Sequence, residues 1–344
     1  MRYPKNLPTG GTIGFLAPSF GCATEPYKTA FQCALARFQS MGYQTLLGPN
    51  CYVDQGIGIS NTPEKCAAEV MELFASEADS LISCGGGEMM CEILPFVDFR
   101  RLAELEPKWF MGYSDNTNLT YTLATLADTA AVYGPCASTF GMEPLHESVQ
   151  DALGVLTGEV HTVTSYGKWE KESLKEPDNP CAPYQLTEEL QIRSFLGINE
   201  VGGEELRFSG RLLGGCMDCL VNLLGTRFDG TRQFIEKYKQ DGIIWFLESC
   251  DLNVFGIRRA MWEMKQAGWF QYVKGFLIGR PANGEAIINL DAFHAVLDIV
   301  GSMGVPVVMD VDLGHRPPMM PLVVGSFAEV QVRGNDLEIR MEYR

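Results

Sequence analysis

The sequence predicts an α/β chain in two units: a parallel β-sheet covered on both faces by helices, then a second, smaller α+β unit. Three observations predict it. Over roughly the first 160 residues, short apolar runs alternate with amphipathic stretches of helical period, the pattern of strand and crossover helix that builds parallel sheets. From about Thr162 to Glu200 that periodicity fails, which reads as a long connection. The tail PLVVGSFAEVQVRGNDLEIRMEY then alternates at period two around an Arg-Gly-Asn-Asp turn, a hairpin signal.

In chain order, the buried strands of the first unit are expected at Thr12 to Pro18, Gln44 to Gly48, Ser80 to Cys84, Trp109 to Tyr113 and Ala131 to Tyr133. Helices are expected between them at about 26–41, 62–77, 91–105, 117–129 and 143–157. Pro63 ahead of a run rich in Glu and Ala is a start signal, and Gly42 after Met41 is a stop. In the second unit, strands are expected at Leu206 to Leu213, Gly242 to Leu247, Gly275 to Gly279 and Val305 to Val311. Its helices fall at Asp218 to Leu224, Val254 to Gly268 and about 290–302. The expected division is 1–165, a connection over 166–200, and 201–344.

Composition bounds the function. At 344 residues, 46% apolar and 20% charged, the chain can bury the cores of two domains and is neither disordered nor fibrous. Twenty-seven basic against 43 acidic residues leave a net charge of −16 with no Lys/Arg run, so nucleic acid and anionic membranes are excluded as partners. A small anionic ligand still fits local donors. The 11 cysteines are odd in number and scattered through apolar stretches, which reads as a reducing compartment. The opening MRYPKNLPTG lacks an apolar signal core, and no stretch reaches the roughly 18 apolar residues of a membrane span, so a soluble cytoplasmic protein is expected.

The most suggestive segment for chemistry is KWFMGYSDNTNLTYTLATLAD, where an apolar strand runs through Gly112-Tyr113-Ser114-Asp115 into a helix. A tight strand-to-helix turn exposes the Ser114 hydroxyl at the carboxyl edge of the sheet, beside free N–H groups of the first helical turn, including that of Asp115, which suit an oxyanion. The match to G-x-S-x-G is incomplete, because position 116 is Asn. The structural alternative is that Ser114 or Asp115 only caps the helix. A second turn, Ser83-Cys84-Gly85-Gly86-Gly87-Glu88, can approach a ligand closely and offer N–H donors, although it matches no phosphate motif. Cys84 there is a rival nucleophile.

A serine needs a base, and the base needs an orienting group. Of four histidines, His146 and His161 read as solvated and His294 as a helix boundary residue; His315 follows an apolar strand on a short loop before Arg316-Pro317-Pro318. Glu248 at the end of GIIWFLE, Asp310 and Asp312 are the candidate carboxylates, and periodicity does not choose among them. Cys216-Met217-Asp218-Cys219 is a lone C-x-x-C without a second pair, and no metal site is expected. Trp169 and Tyr184 could stack on a planar ligand if the connection folds over the cleft.

Taken in order, these segments resemble the serine peptidase family that contains the LD-carboxypeptidases of murein recycling and the microcin C immunity hydrolases. The resemblance runs from GTIGFLAPS through CGGGEMMCEILPFVDF, GYSDNTNLTYTLATLAD and AVYGP to SGRLLGG, IIWFLES, GFLIGRP and VDLGHRPPMMPLVVG. It implies Ser114 as nucleophile, His315 as base and Glu248 as its orienting partner, with N–H groups of Asp115 and of Gly86 or Gly87 as the oxyanion hole. It also implies a flavodoxin-like first domain, a second domain with a small or barrel-like sheet carrying the Glu and His, a catalytic cleft between them, and a homodimer. No cofactor is implied. The substrate class implied is a small peptide or peptidyl-nucleotide, with Trp169 stacking on a base. Three positions depart from the pattern: Cys216 in place of Asn, Arg316 in place of Thr, and Ser249 in place of an acid. Arg316, one residue from the base, is a candidate for binding a substrate carboxylate. The alternative function is a non-catalytic two-domain small-ligand-binding protein with Ser114 as a helix cap.

Overall fold

In the computed structural model, which describes residues 1–344, the first half alternates strand and helix as its apolar runs dictate. The strands β1 (Thr12–Leu16), β2 (Gln44–Leu47), β3 (Ser80–Ser83), β4 (Trp109–Gly112) and β5 (Ala131–Tyr133) pair in parallel in the order 5-4-3-1-2, the flavodoxin-like winding. The helices are α1 (Tyr27–Ser40), α2 (Pro63–Ala75), α3 (Phe99–Glu104), α4 (Thr117–Ala127) and α5 (Glu147–Thr157). Pro63 opens α2, and Gly42 follows α1 at φ +91°, a left-handed position that glycine takes without penalty. The helix expected over 91–105 is broken. Pro95 lies in a 3₁₀ turn, Met90–Phe96, and Asp98 starts α3 afresh by accepting the N–H of Arg101.

The connection contributes more structure than its failed periodicity indicated. It holds β6 (Thr162–Thr164), a hairpin of β7 (Lys168–Glu170) and β8 (Leu186–Glu189), β9 (Arg193–Leu196) and β10 (Asn199–Glu200). The remaining elements are β11 (Leu206–Cys216), α6 (Met217–Leu223), α7 (Thr231–Lys237), β12 (Ile243–Glu248), α8 (Val254–Gln266), β13 (Val273–Gly279), α9 (Ala292–Val300), β14 (Pro306–Val311), β15 (Leu322–Val324), β16 (Phe327–Arg333) and β17 (Asp336–Glu342). Nine of these strands form one sheet in the order 10-9-14-13-12-11-16-17-6, in which β11 to β14 are parallel. Its end strands do not pair with each other, so in place of the barrel-like sheet expected there is an open one.

The period-two tail is split by Gly325 at φ +90°. Residues after the turn form the expected hairpin, β16 with β17, while β15 before it returns to the first sheet and pairs antiparallel with β5. The two halves are also joined by packing, since one cluster of 75 buried residues includes both Met111 of β4 and Trp245 of β12. Helix α4 lies in this junction. One face packs against α3 in the cluster that holds Leu102, Leu119 and Leu123, and its opposite face is buried as well, Tyr121 bonding Thr231 of α7 at 2.7 Å. The crevice between the sheets therefore has a rigid floor.

Candidate active site

Both sheets bring the carboxyl ends of their parallel strands to this crevice, where open α/β sheets bind ligands. Beyond β4 the chain turns so sharply that Ser114 takes φ +62°, a left-handed conformation that costs a non-glycine residue energy and occurs at held, functional turns. Asn116, where the elbow pattern has glycine, has a local reason. Its amide donates to the carbonyls of Gly85 (2.8 Å) and Tyr113 (3.1 Å), pinning the glycine turn to the serine turn. A Cβ at Gly112 would stand 2.8 Å from that amide's Cγ, so the glycine makes room for it.

From the second sheet, β12 ends at Glu248 and the loop after β14 carries His315. The ring Nε2 of His315 lies 2.8 Å from Ser114 Oγ, and its Nδ1 lies 2.7 Å from Glu248 Oε2. With Nδ1–H donating to the carboxylate, Nε2 is left as acceptor for the serine O–H, the tautomer that proton abstraction requires. Glu248 has no exposed surface. Burial opposes its charge, but the His315 charge and the hydrogen bonds from His315 and Tyr133 outweigh it and hold the carboxyl below its ordinary pKa. Burial opposes the imidazolium as well, yet the Glu248 charge raises His315 well above the usual histidine value. Gly314, at φ +91°, has no Cβ to collide with the Glu248 carboxylate.

Of the other candidate carboxylates, Asp312 is taken by Arg280 (2.5 Å) and the Tyr166 N–H (2.7 Å), and neither ring nitrogen of His315 reaches Asp310. Cys84 is fully buried, and burial pushes its thiol well up, the opposite of an activated nucleophile. His146 caps α5, and His161 and His294 are exposed, away from the crevice.

The N–H groups of Gly86, Gly87 and Asp115 have no acceptor within the protein, and a Cβ on Gly86 would stand 3.3 Å from Ser114 Oγ. The Asp115 side chain points away into a buried hub, accepting from Ser19 (2.5 Å), Met90 N–H (2.9 Å) and Asn118 (3.0 Å). Burial nevertheless raises its pKa to about 6. Ser114 and His315 open onto a cavity of about 700 Å³ whose walls include Tyr27, Tyr113, Glu170, Lys175 and Tyr184. Lys175 is the one lysine or arginine in its lining.

Two expected ligand contacts lie outside that lining. Trp169 is engaged from behind by Arg280, whose guanidinium carbon is 5.3 Å from the ring centre, and the aromatic residue of the same hairpin that faces the cavity is Tyr184. Arg316 donates to the carbonyls of Lys171 (2.5 Å) and Ala282 (2.7 Å), which spends its guanidinium on backbone. One residue was missed from the sequence. The Tyr133 hydroxyl donates to Glu248 Oε1 at 2.5 Å and accepts the Ser114 N–H at 3.3 Å, joining serine turn and carboxylate. Its signal was the Tyr-Gly-Pro triplet closing β5.

A soft divalent cation would find Cys216 Sγ, a Glu248 oxygen and a His315 nitrogen within 4.8 Å of one another. Binding it there would break hydrogen bonds that both ring nitrogens of His315 already make.

A serine on a strained strand-to-helix turn, aligned with an imidazole and a buried carboxylate at the floor of a cleft, is the build of a serine hydrolase. Residues 13–134 match the LD-carboxypeptidase N-terminal domain and residues 209–330 the LD-carboxypeptidase C-terminal domain. The chain belongs to the LD-carboxypeptidase family of serine peptidases, the group that includes the MccF-like proteins.

Among its relatives, a probable murein peptide carboxypeptidase of Bacillus subtilis (strain 168) is 26% identical over 333 residues, covering 94% of this chain and 90% of the relative. The microcin C7 self-immunity protein MccF of Escherichia coli is 24% identical over 346 aligned positions, covering 98% and 95%. Solved structures share the fold. MccF in complex with aspartyl sulfamoyl adenosine superposes with a TM-score of 0.80 at 22% identity, covering 99% of this chain and 98% of that one. An MccF-like protein from Bacillus anthracis str. Ames gives 0.80 at 22% identity, covering 99% and 100%.

Proposed function

We propose that this chain is a serine amide hydrolase of carboxypeptidase or microcin-immunity type, with Ser114 as nucleophile, His315 as general base and acid, and Glu248 as the group that orients the ring. The observation that carries the reading is the unbroken hydrogen-bonded run from Ser114 Oγ through both nitrogens of His315 to Glu248, opening on the cavity. His315 takes the serine proton as Oγ attacks the substrate carbonyl. The N–H groups of Asp115 and of Gly86 or Gly87 receive the negative oxygen, and His315 returns the proton to the departing amine. Water, deprotonated by the same ring, then releases the acyl group from Ser114. No step draws on a cofactor.

The substrate is a small peptide-like or peptidyl-nucleotide amide. The cavity's volume suits one, and the relatives include a probable murein peptide carboxypeptidase and MccF, solved in complex with aspartyl sulfamoyl adenosine. Lys175 supports a negatively charged group on the ligand, and Tyr184 supports a planar one. The proposal extends to a homodimer in the cytoplasm, tested by sedimentation velocity and cell fractionation. The deciding experiment incubates the protein, beside Ser114→Ala, with an L,D-linked murein peptide and with an aspartyl sulfamoyl adenosine, and separates the products by chromatography. Release of a terminal D-residue or of the amino acid, lost in Ser114→Ala, is expected. Turnover of both substrates undiminished in Ser114→Ala would overturn the reading.

A further inference from the structure

Away from the serine, two thiols from distant parts of the chain meet. Cys33 in the middle of α1 and Cys181 in the turn between β7 and β8 are 148 positions apart in sequence, and their sulfurs stand 2.9 Å apart. Both are half-buried and reachable by a small reagent, whereas Cys22, Cys51, Cys84, Cys216 and Cys219 are buried. The backbone around the pair is already held. Arg37, one turn along α1 from Cys33, donates to the carbonyls of Phe140 (2.9 Å) and Met142 (2.6 Å) and pairs with Glu143. The Glu143 N–H donates to the Cys181 carbonyl at 2.9 Å. Helix and turn therefore rest on one platform, with the sulfurs facing each other across it.

The turn is a wall of the cavity. Ala182, Pro183 and Tyr184 line it directly after Cys181, and Ser173 and Lys175 line it just before. We propose that Cys33 and Cys181 form a reversible disulfide that staples this wall to α1, with a low-molecular-weight disulfide as oxidant. The Cys33 thiolate attacks one sulfur of the oxidant and expels a small thiol, leaving a mixed disulfide on Cys33. Cys181 then attacks the Cys33 sulfur, closes the protein disulfide and expels the second small thiol. Two protein thiols and one small disulfide become one protein disulfide and two small thiols, so both hydrogens and both electrons pass to the oxidant. Burial and the neighbouring Cys33 push the Cys181 thiol up to about 11, against the pull of Lys175 and Arg37. The pairing is independent of the hydrolase chemistry and is tested without substrate.

The full chain is equilibrated in buffers of oxidised and reduced glutathione, quenched with iodoacetamide and mapped by mass spectrometry without reduction. A peptide pair linking Cys33 to Cys181, lighter by two hydrogens and opened by dithiothreitol, is expected. It should be absent from Cys33→Ser and from Cys181→Ser. Trypsin, which has sites after Lys171 and Lys175 in the stapled wall, should cut the oxidised protein about fivefold more slowly than the reduced one, with both variants cut at the reduced rate in either buffer. Full alkylation of Cys33 and Cys181 in the oxidising buffer, or a different cysteine pair in their place, would overturn the pairing. A linked protein cut at the reduced rate would overturn the staple.

Discussion

The floor and the wall of the cavity are built by opposite means. The floor consists of strand ends and the turns that follow them, with Ser114, Tyr133, Glu248 and His315 drawn from four strands of two sheets and joined by hydrogen bonds of 2.5–3.3 Å. The wall from Glu170 to Tyr184 is largely exposed, charged and joined to the body at a few points, among them the Arg316 contact with Lys171 and the Cys33 contact with Cys181. The difference teaches where chemistry and selectivity reside. Groups that must hold a geometry sit on a shared core, and groups that choose a ligand sit on a segment that can change without disturbing it.

The largest effect is expected at the floor. Ser114→Ala should lower kcat/KM on the order of 10⁴-fold or more with the fold unchanged by circular dichroism, because an array acting as a unit fails when one member is lost. Retained turnover would dissolve the contrast between floor and wall. Gly314→Ala tests the same array without touching a reacting group. A methyl there meets the Glu248 carboxylate at a backbone angle that disfavours alanine, so a drop of about 10²-fold or more is expected, with substrate KM little changed.

How much of this floor the sequence carried follows from the range of each signal. Ser114 was legible because a strand, a tight turn and a helix are all local. Glu248 was not legible by spacing, since three carboxylates end or flank apolar strands. What removes Asp312 is Arg280, more than 30 residues upstream, which reaches it only once β13 and β14 pair. The Thr and Tyr residues of α4 are buried because the second unit packs on them, a contact that no local spacing announces. In the wall, where periodicity failed, Trp169 was preferred over Tyr184 for stacking, and only the placement of the β7–β8 hairpin distinguishes the aromatic on Arg280 from the one in the cavity.

The pH profile sharpens the comparison from the electrostatic side. The base works as neutral imidazole, and the Glu248 charge raises the pKa of His315, so kcat/KM should climb about tenfold per pH unit along a limb whose midpoint lies above the ordinary histidine value of about 6.5. Glu248→Gln removes the raising charge. It should move that limb down while lowering the plateau, a combination that loss of fold would not produce. Tyr133→Phe deletes one of the donors that hold Glu248 ionised and the acceptor for the Ser114 N–H, so a fall in kcat of about tenfold is expected, smaller than for the reacting groups.

The smallest effects belong to the wall and separate its two faces. Lys175→Ala and Tyr184→Ala should act on KM, about tenfold and about threefold, with kcat held within twofold, because neither touches the serine, the ring or the acid. Trp169→Phe is the control that decides between the two aromatics. The ring packs against Arg280 behind the wall, and phenylalanine preserves that contact while removing the indole. KM unchanged in Trp169→Phe beside a raised KM in Tyr184→Ala is therefore the expected pair. The reverse pattern would mean that the hairpin turns over on binding and brings Trp169 into the cavity, making the wall a moving part whose bound arrangement differs from the free one.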